Sequence, residues 1–139
     1  MNLSLATLLQ LCILLPMVAT LGIVALRRHQ NLRETVSIGA SLLVFYAVVS
    51  IYLGLQGGET IDVNWLQILP GLSVSFSVEP LGMIFALIAS FLWLVTIIYA
   101  IGYMRGHNED HQARFYCCFA IAIGSVMGVA FADNLFTLF

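Results

Sequence analysis

Residues 81–104 read "LGMIFALIASFLWLVTIIYAIGYM", twenty-four positions without one charged side chain. Twelve of them are Leu, Ile, Phe or Val, and at about −0.3 to −0.6 kcal/mol each near a bilayer centre they favour insertion by roughly −4 to −7 kcal/mol. The stretch therefore predicts a helix that crosses a membrane. Trp93 falls mid-run rather than at the interface, so it is expected to face other helices. The rest of the chain agrees: 61% of the 139 residues are hydrophobic and 9% charged, against about 25% charged in ordinary soluble domains. All five basic residues are arginines and lysine is absent, which removes any basic-patch case for nucleic acid. Cys12, Cys117 and Cys118 all lie in apolar runs without metal-clip or redox spacing, and read as small packing residues.

Three more runs have the same character. Leu5 to Leu26 is uncharged over 22 residues, about 33 Å of helix against a hydrocarbon core of about 30 Å. No basic residue precedes it and Arg27-Arg28 follow it, the reverse of a secretory signal. Pro16 lies within it, as membrane helices tolerate. Thr35 to Gln56 carries Ser37, Gly39 and Ser41, small residues that permit close helix contact. Phe115 to Ala132 places Ala120, Gly124, Gly128 and Ala132 at spacing four, one stripe of a helix, and this predicts packing within the chain.

The linkers differ in charge. Residues 27–34 and 105–114 together hold every arginine, whereas 57–80 hold Glu59, Asp62 and Glu79 and no basic residue. The positive-inside rule makes the first two cytoplasmic and puts the N-terminus, the 57–80 linker and Asp133 outside. Within that linker "IDVNW" and "LSVSFSV" alternate apolar and polar residues around Pro70-Gly71, the pattern of a small β-hairpin. A lone hairpin is marginal in water, so this one is expected to lean on the membrane surface or a neighbour.

Little in the chain reads as chemistry. The four apolar runs hold no Asp, Glu, Lys, Arg or His, and ion pathways through a membrane depend on such residues at depth. His107 and His111 are four apart, but without a third partner they do not make a metal site. Glu79 before Pro80 reads as a first-turn carboxylate at the mouth of the third helix, and Asp133 with Asn134 as the cap of a further helix; at the outer opening of an ion path either carboxylate would be a site candidate. No catalytic residue, cofactor or metal is expected.

"SVEPLGMIFALIASFLWLVTIIYAIGYM", "RFY" and "FADNLFTLF" resemble the N-terminal region of the antiporter-like membrane subunits. These are the ion-translocating subunits of Mrp-type cation/proton antiporters and the related L, M and N subunits of respiratory complex I. The resemblance covers about Ser75 to Phe139. It rests on Tyr99, Gly102, Tyr103 and Met104, on Arg114-Phe115-Tyr116, and on Asp133-Asn134-Leu135 leading to Phe136 and Phe139. Glu79-Pro80-Leu81-Gly82 is more like the D-type Mrp subunit than like complex I relatives. The resemblance implies a larger protein of two inverted helical bundles, with proton-carrying glutamate and lysines beyond the positions present here.

The expected architecture is an all-α membrane protein: four transmembrane helices, the start of a fifth, and an extracytoplasmic hairpin between helices 2 and 3. Its parts are 1–56 (helices 1 and 2), 57–80 (outer linker) and 81–139 (the antiporter-like region). The expected function is the N-terminal part of an ion-translocating subunit in a bacterial-type inner membrane, structural in this segment, its partners being the remainder of the same subunit or a split partner, further membrane subunits and the lipid bilayer. The alternatives are a self-contained four-helix scaffold or assembly subunit, a fragment of a complex I-type proton-pumping NADH-quinone oxidoreductase subunit, as the resemblance implies, and, behind them, a membrane enzyme, for which no nucleophile or base is visible.

Overall fold

A computed structural model describes residues 4–57, 62–69, 72–107, 110–133 and 137. Helix α1 spans Leu5–Ala25, and the Ser4 hydroxyl caps it by accepting from the Thr7 amide at 3.3 Å. Helix α2 spans Gln30–Gln56 and ends at Gly57. Strands β1 (Asp62–Leu69) and β2 (Leu72–Ser77) pair antiparallel, Val63 opposite Phe76 and Asn64 opposite Ser75, with register shifts after Asn64 and after Gln67. Helix α3 spans Pro80–His107 and α4 spans Gln112–Ala130. The hairpin between the second and third helices is present as expected; the expected start of a fifth helix lies largely outside the described residues.

The four helices form a ring in chain order: α1 packs on α2, α2 on α3, α3 on α4, and α4 closes back on α1. Short connections at one end and the hairpin at the other produce this up-and-down arrangement. Its centre is filled by Leu9, Cys12, Val44, Val48, Ile51, Trp93, Ile97 and Met127. Trp93 is 1% exposed, facing other helices as its mid-run position predicts. Only 22–39% of the most apolar window of each helix is buried inside the bundle. The remainder, including Leu21, Leu53, Leu81, Ile98 and Tyr99, faces outward. Helices apolar around their whole circumference belong in lipid or against other membrane helices, and all four are long and apolar enough to cross a membrane.

Several boundaries differ from the sequence reading: α3 runs on to His107 and α4 begins at Gln112, and two further differences change the packing. Helix α2 begins at Gln30, five residues before the expected Thr35, so Arg33 and Glu34 lie on the helix, 5% and 3% exposed. Charge marks a loop only when it has no partner, and these two side chains have partners. At the other boundary α4 stops at Ala130 and Phe131 is its C-cap, while Ala132 leaves the helix to bridge Phe76 of β2. The small-residue stripe is correspondingly shorter than expected. Ala120 and Gly124 are buried, and a Cβ on Gly124 would sit 3.4 Å from Met17 Cγ and 3.5 Å from Pro16 Cβ of α1. A Cβ on Gly128 would meet nothing within 4 Å. The close approach predicted for the stripe is thus real over one turn and is made to α1.

Candidate functional site

All five arginines sit at one end of the bundle, and the structure gathers two of them, Arg33 and Arg105, into a polar network that the apolar pattern did not announce. Glu34 of α2 receives Arg105 of α3: the Arg105 Nε donates to Glu34 Oε2 at 2.9 Å, and its Nη2 reaches both the same oxygen and Asn31 Oδ1, the latter at 2.8 Å. Arg33 donates through Nη2 to Gln112 Oε1 at 2.7 Å and lies over the Tyr116 ring, 5.4 Å from its centroid. Gln112, at the first position of α4, also accepts from Gln30 at 3.3 Å and donates to the Met104 carbonyl at 3.4 Å. One amide therefore ties α2, α3 and α4 together. Arg33 Nε, Glu34 Oε1 and the Tyr116 hydroxyl are buried with no hydrogen-bond partner among the described residues. The helical register could have exposed this pair: Arg33 and Glu34 are four and three positions before Ser37, whose face of α2 is buried.

His107 and His111 do not form a shared face. His107 stacks on Tyr103 with ring centroids 4.4 Å apart and pairs its Nδ1 with the Tyr103 carbonyl, while His111 takes a left-handed backbone conformation, φ 62°, before α4. Left-handed geometry outside glycine is uncommon and marks a tight reversal between helices.

At the opposite end, Glu79 is exposed and its carbonyl accepts from the Met83 amide at 2.9 Å, making it the residue that leads into α3, with Pro80 at the first helical position. Asp133 has a more specific role than its sequence reading gave it. Its carboxylate accepts from the Ser75 hydroxyl at 2.8 Å and its amide donates to the Ser75 carbonyl at 3.1 Å, while the Ser77 amide donates to Phe131 O at 3.0 Å. The segment after α4 thereby runs alongside β2 and fastens the hairpin to the bundle. Thr137 adds a further tie, its hydroxyl accepting from the Ser75 amide at 3.1 Å. Asn134, expected to share the capping role, lies outside the described residues. Replacing Ser75 by alanine removes one hydrogen bond to an exposed carboxylate that water can then solvate, at a cost of about 1 kcal/mol. Amide exchange at Ser77 and Asp133 should quicken while exchange in α1 stays unchanged.

The sequence has relatives among known proteins. Residues 65–116 match the family described as NADH-ubiquinone oxidoreductase (complex I), chain 5 N-terminus. Over 140 aligned positions the chain is 26% identical to the Na(+)/H(+) antiporter subunit A1 of Staphylococcus aureus strains bovine RF122 / ET3-1, JH9 and Newman. The alignment takes in 96% of this chain and 17% of each relative. The likeness is to antiporter-type membrane subunits. The family match contains Glu79-Pro80-Leu81-Gly82, the Tyr99 to Met104 stretch and Arg114-Phe115-Tyr116, and ends before Asp133. Together with the four apolar helices, the antiporter likeness supports a multi-pass membrane protein.

Proposed function

We propose that this chain is the N-terminal part of an ion-translocating subunit of a multicomponent cation/proton antiporter, and that its contribution is structural. The observation that carries this reading is the alignment of 96% of the chain with Na(+)/H(+) antiporter subunits, on a sequence that folds as a closed ring of four membrane-length helices. The arginines, Glu34 and His107 on the described helices cluster at one end, and serine hydroxyls in the deeper turns bond to their own helix backbone, as Ser41 does to Ile38 O and Ser90 to Leu87 O. Such a bundle supplies walls and spacing rather than a proton relay.

The finer assignments belong to the same proposal. The arginine-bearing turns face the cytoplasm and the hairpin and N-terminus lie outside a bacterial inner membrane, as the charge asymmetry favours. The relatives named above are A-type subunits, whereas Glu79-Pro80-Leu81-Gly82 is more like the D-type; a complex I-type subunit is the alternative that the family match supports. Purified and reconstituted alone, the 139-residue chain should give no cation-driven or proton-driven exchange in vesicles, and clear exchange would overturn the structural reading. Within an assembled antiporter, Glu79→Gln should leave exchange intact because Glu79 acts through its backbone at the helix start. Selective loss of exchange in a fully assembled complex would instead place that carboxylate on the ion path.

A further inference from the structure

We propose that the cleft between the α1–α2 turn and the start of α4 binds the phosphate of an anionic phospholipid headgroup. This goes beyond the transport reading and rests only on the chain spanning a bilayer. The cleft holds about 350 Å³ and is lined by Arg27, Arg28, Gln30 and Arg33 on one side and by Asp110, His111, Gln112 and Ala113 on the other. Three of the five arginines meet there against one carboxylate among the described residues, Asp110. Glu34 does not neutralise them, because its paired oxygen is engaged by Arg105. Arg33 is 5% exposed and fixed in place by Gln112 Oε1 and the Tyr116 ring, yet its Nε has no partner among the described residues. A guanidinium held in advance, with donor capacity remaining, beside two exposed arginines on a turn at the membrane surface, matches the chemistry by which basic pockets between membrane helices hold lipid phosphates.

A second cavity argues for a lipid rather than a free phosphate. An apolar groove of about 360 Å³ runs between α1 and α2, lined by Leu15, Val18, Gly22, Val36, Gly39 and Leu43 among others. The turn that joins these two helices carries Arg27 and Arg28, and the α2 wall of the groove begins at Val36, one helical turn deeper than Arg33. A Cβ on Gly39 would meet nothing within 4 Å, so that side of the groove has room for an acyl chain leading away from the headgroup.

The full chain, purified in a neutral detergent and delipidated, tests this by native mass spectrometry with phosphatidylglycerol, phosphatidylcholine and inorganic phosphate as probes. Wild type should retain one phosphatidylglycerol in preference to phosphatidylcholine. The double variant Arg27→Gln/Arg28→Gln removes two exposed cations and should weaken that binding roughly 25-fold, from about 1 kcal/mol per surface arginine. Arg114→Gln removes an exposed cation at the same end but outside the cleft, and should have little effect. Gly39→Leu fills the groove without altering charge and should also weaken lipid binding. Circular dichroism verifies that each variant remains helical. Equal retention of the two lipids, an Arg114→Gln loss matching the double variant, or unchanged binding in the double variant would each overturn the proposal. Displacement of the lipid by inorganic phosphate, with Gly39→Leu inert, would overturn the lipid assignment in favour of a free-phosphate site.

Discussion

Gly82→Ala should destabilise the bundle out of proportion to the single methyl it adds. A Cβ at this position would lie 2.1 Å from the carbonyl oxygen of Ala130, and a backbone oxygen at the end of a packed helix cannot turn aside as a side chain would. The first turn of α3 must then separate from the last turn of α4, just where Ser77 bonds to the Phe131 carbonyl. Overpacking of this kind costs about 1–3 kcal/mol, occasionally more, and here it should also loosen the hairpin. Gly128→Ala is the matched comparison, since a Cβ there meets nothing within 4 Å and alanine favours the helix. Thermal unfolding in detergent should show a clear loss for the first variant and none for the second; equal behaviour would mean that the α3–α4 contact is looser than this geometry.

Arg105→Met is expected to be more damaging than Glu34→Gln, although the two substitutions break the same ion pair. The asymmetry follows from burial: the Arg105 side chain is 50% exposed and that of Glu34 only 4%. Without Glu34, the guanidinium turns toward water and keeps Asn31 within reach. Without Arg105, the carboxylate is left buried with its main counter-charge gone, and Glu34 Oε1 already has no partner among the described residues. An unpaired buried charge is far costlier than an unpaired exposed one. The double variant Arg105→Met/Glu34→Gln should therefore recover stability relative to Arg105→Met alone. A double-mutant cycle on thermal unfolding measures this coupling, and a double variant no better than Arg105→Met would refute the burial argument.

The helices were legible because lipid imposes a crude and strong requirement: twenty or so uncharged residues, which Leu5 to Leu26 and Leu81 to Met104 supply without ambiguity. The hairpin was legible from period-two alternation around Pro70-Gly71. Its fastening was not, because Ser75 and Asp133 are 58 residues apart and nothing local marks a hydroxyl as the partner of a distant carboxylate. The early start of α2 was hidden for a related reason. Reading "RRHQNLRE" as a solvated loop treats each charge by itself, whereas Glu34 and Arg33 become tolerable inside the bundle only once Arg105 and Gln112, 71 and 79 residues away, arrive beside them. The small-residue stripe was half legible: spacing four put Ala120 and Gly124 on one face, but the helix ends before Ala132, at a point set by the bridge to Phe76.

The circular order of the helices also bears on how the molecule is made. Three of the four contacts in the ring join neighbours along the chain and can form as each helical pair emerges into the bilayer, whereas the seam between α1 and α4 must wait for residues near Gly124. Until then the flank of α1 around Ile13, Pro16 and Met17 is open. A nascent chain held at that stage would present this flank to whatever membrane helix is nearby, so the glycine that seats there is the piece that turns a row of inserted hairpins into a closed unit.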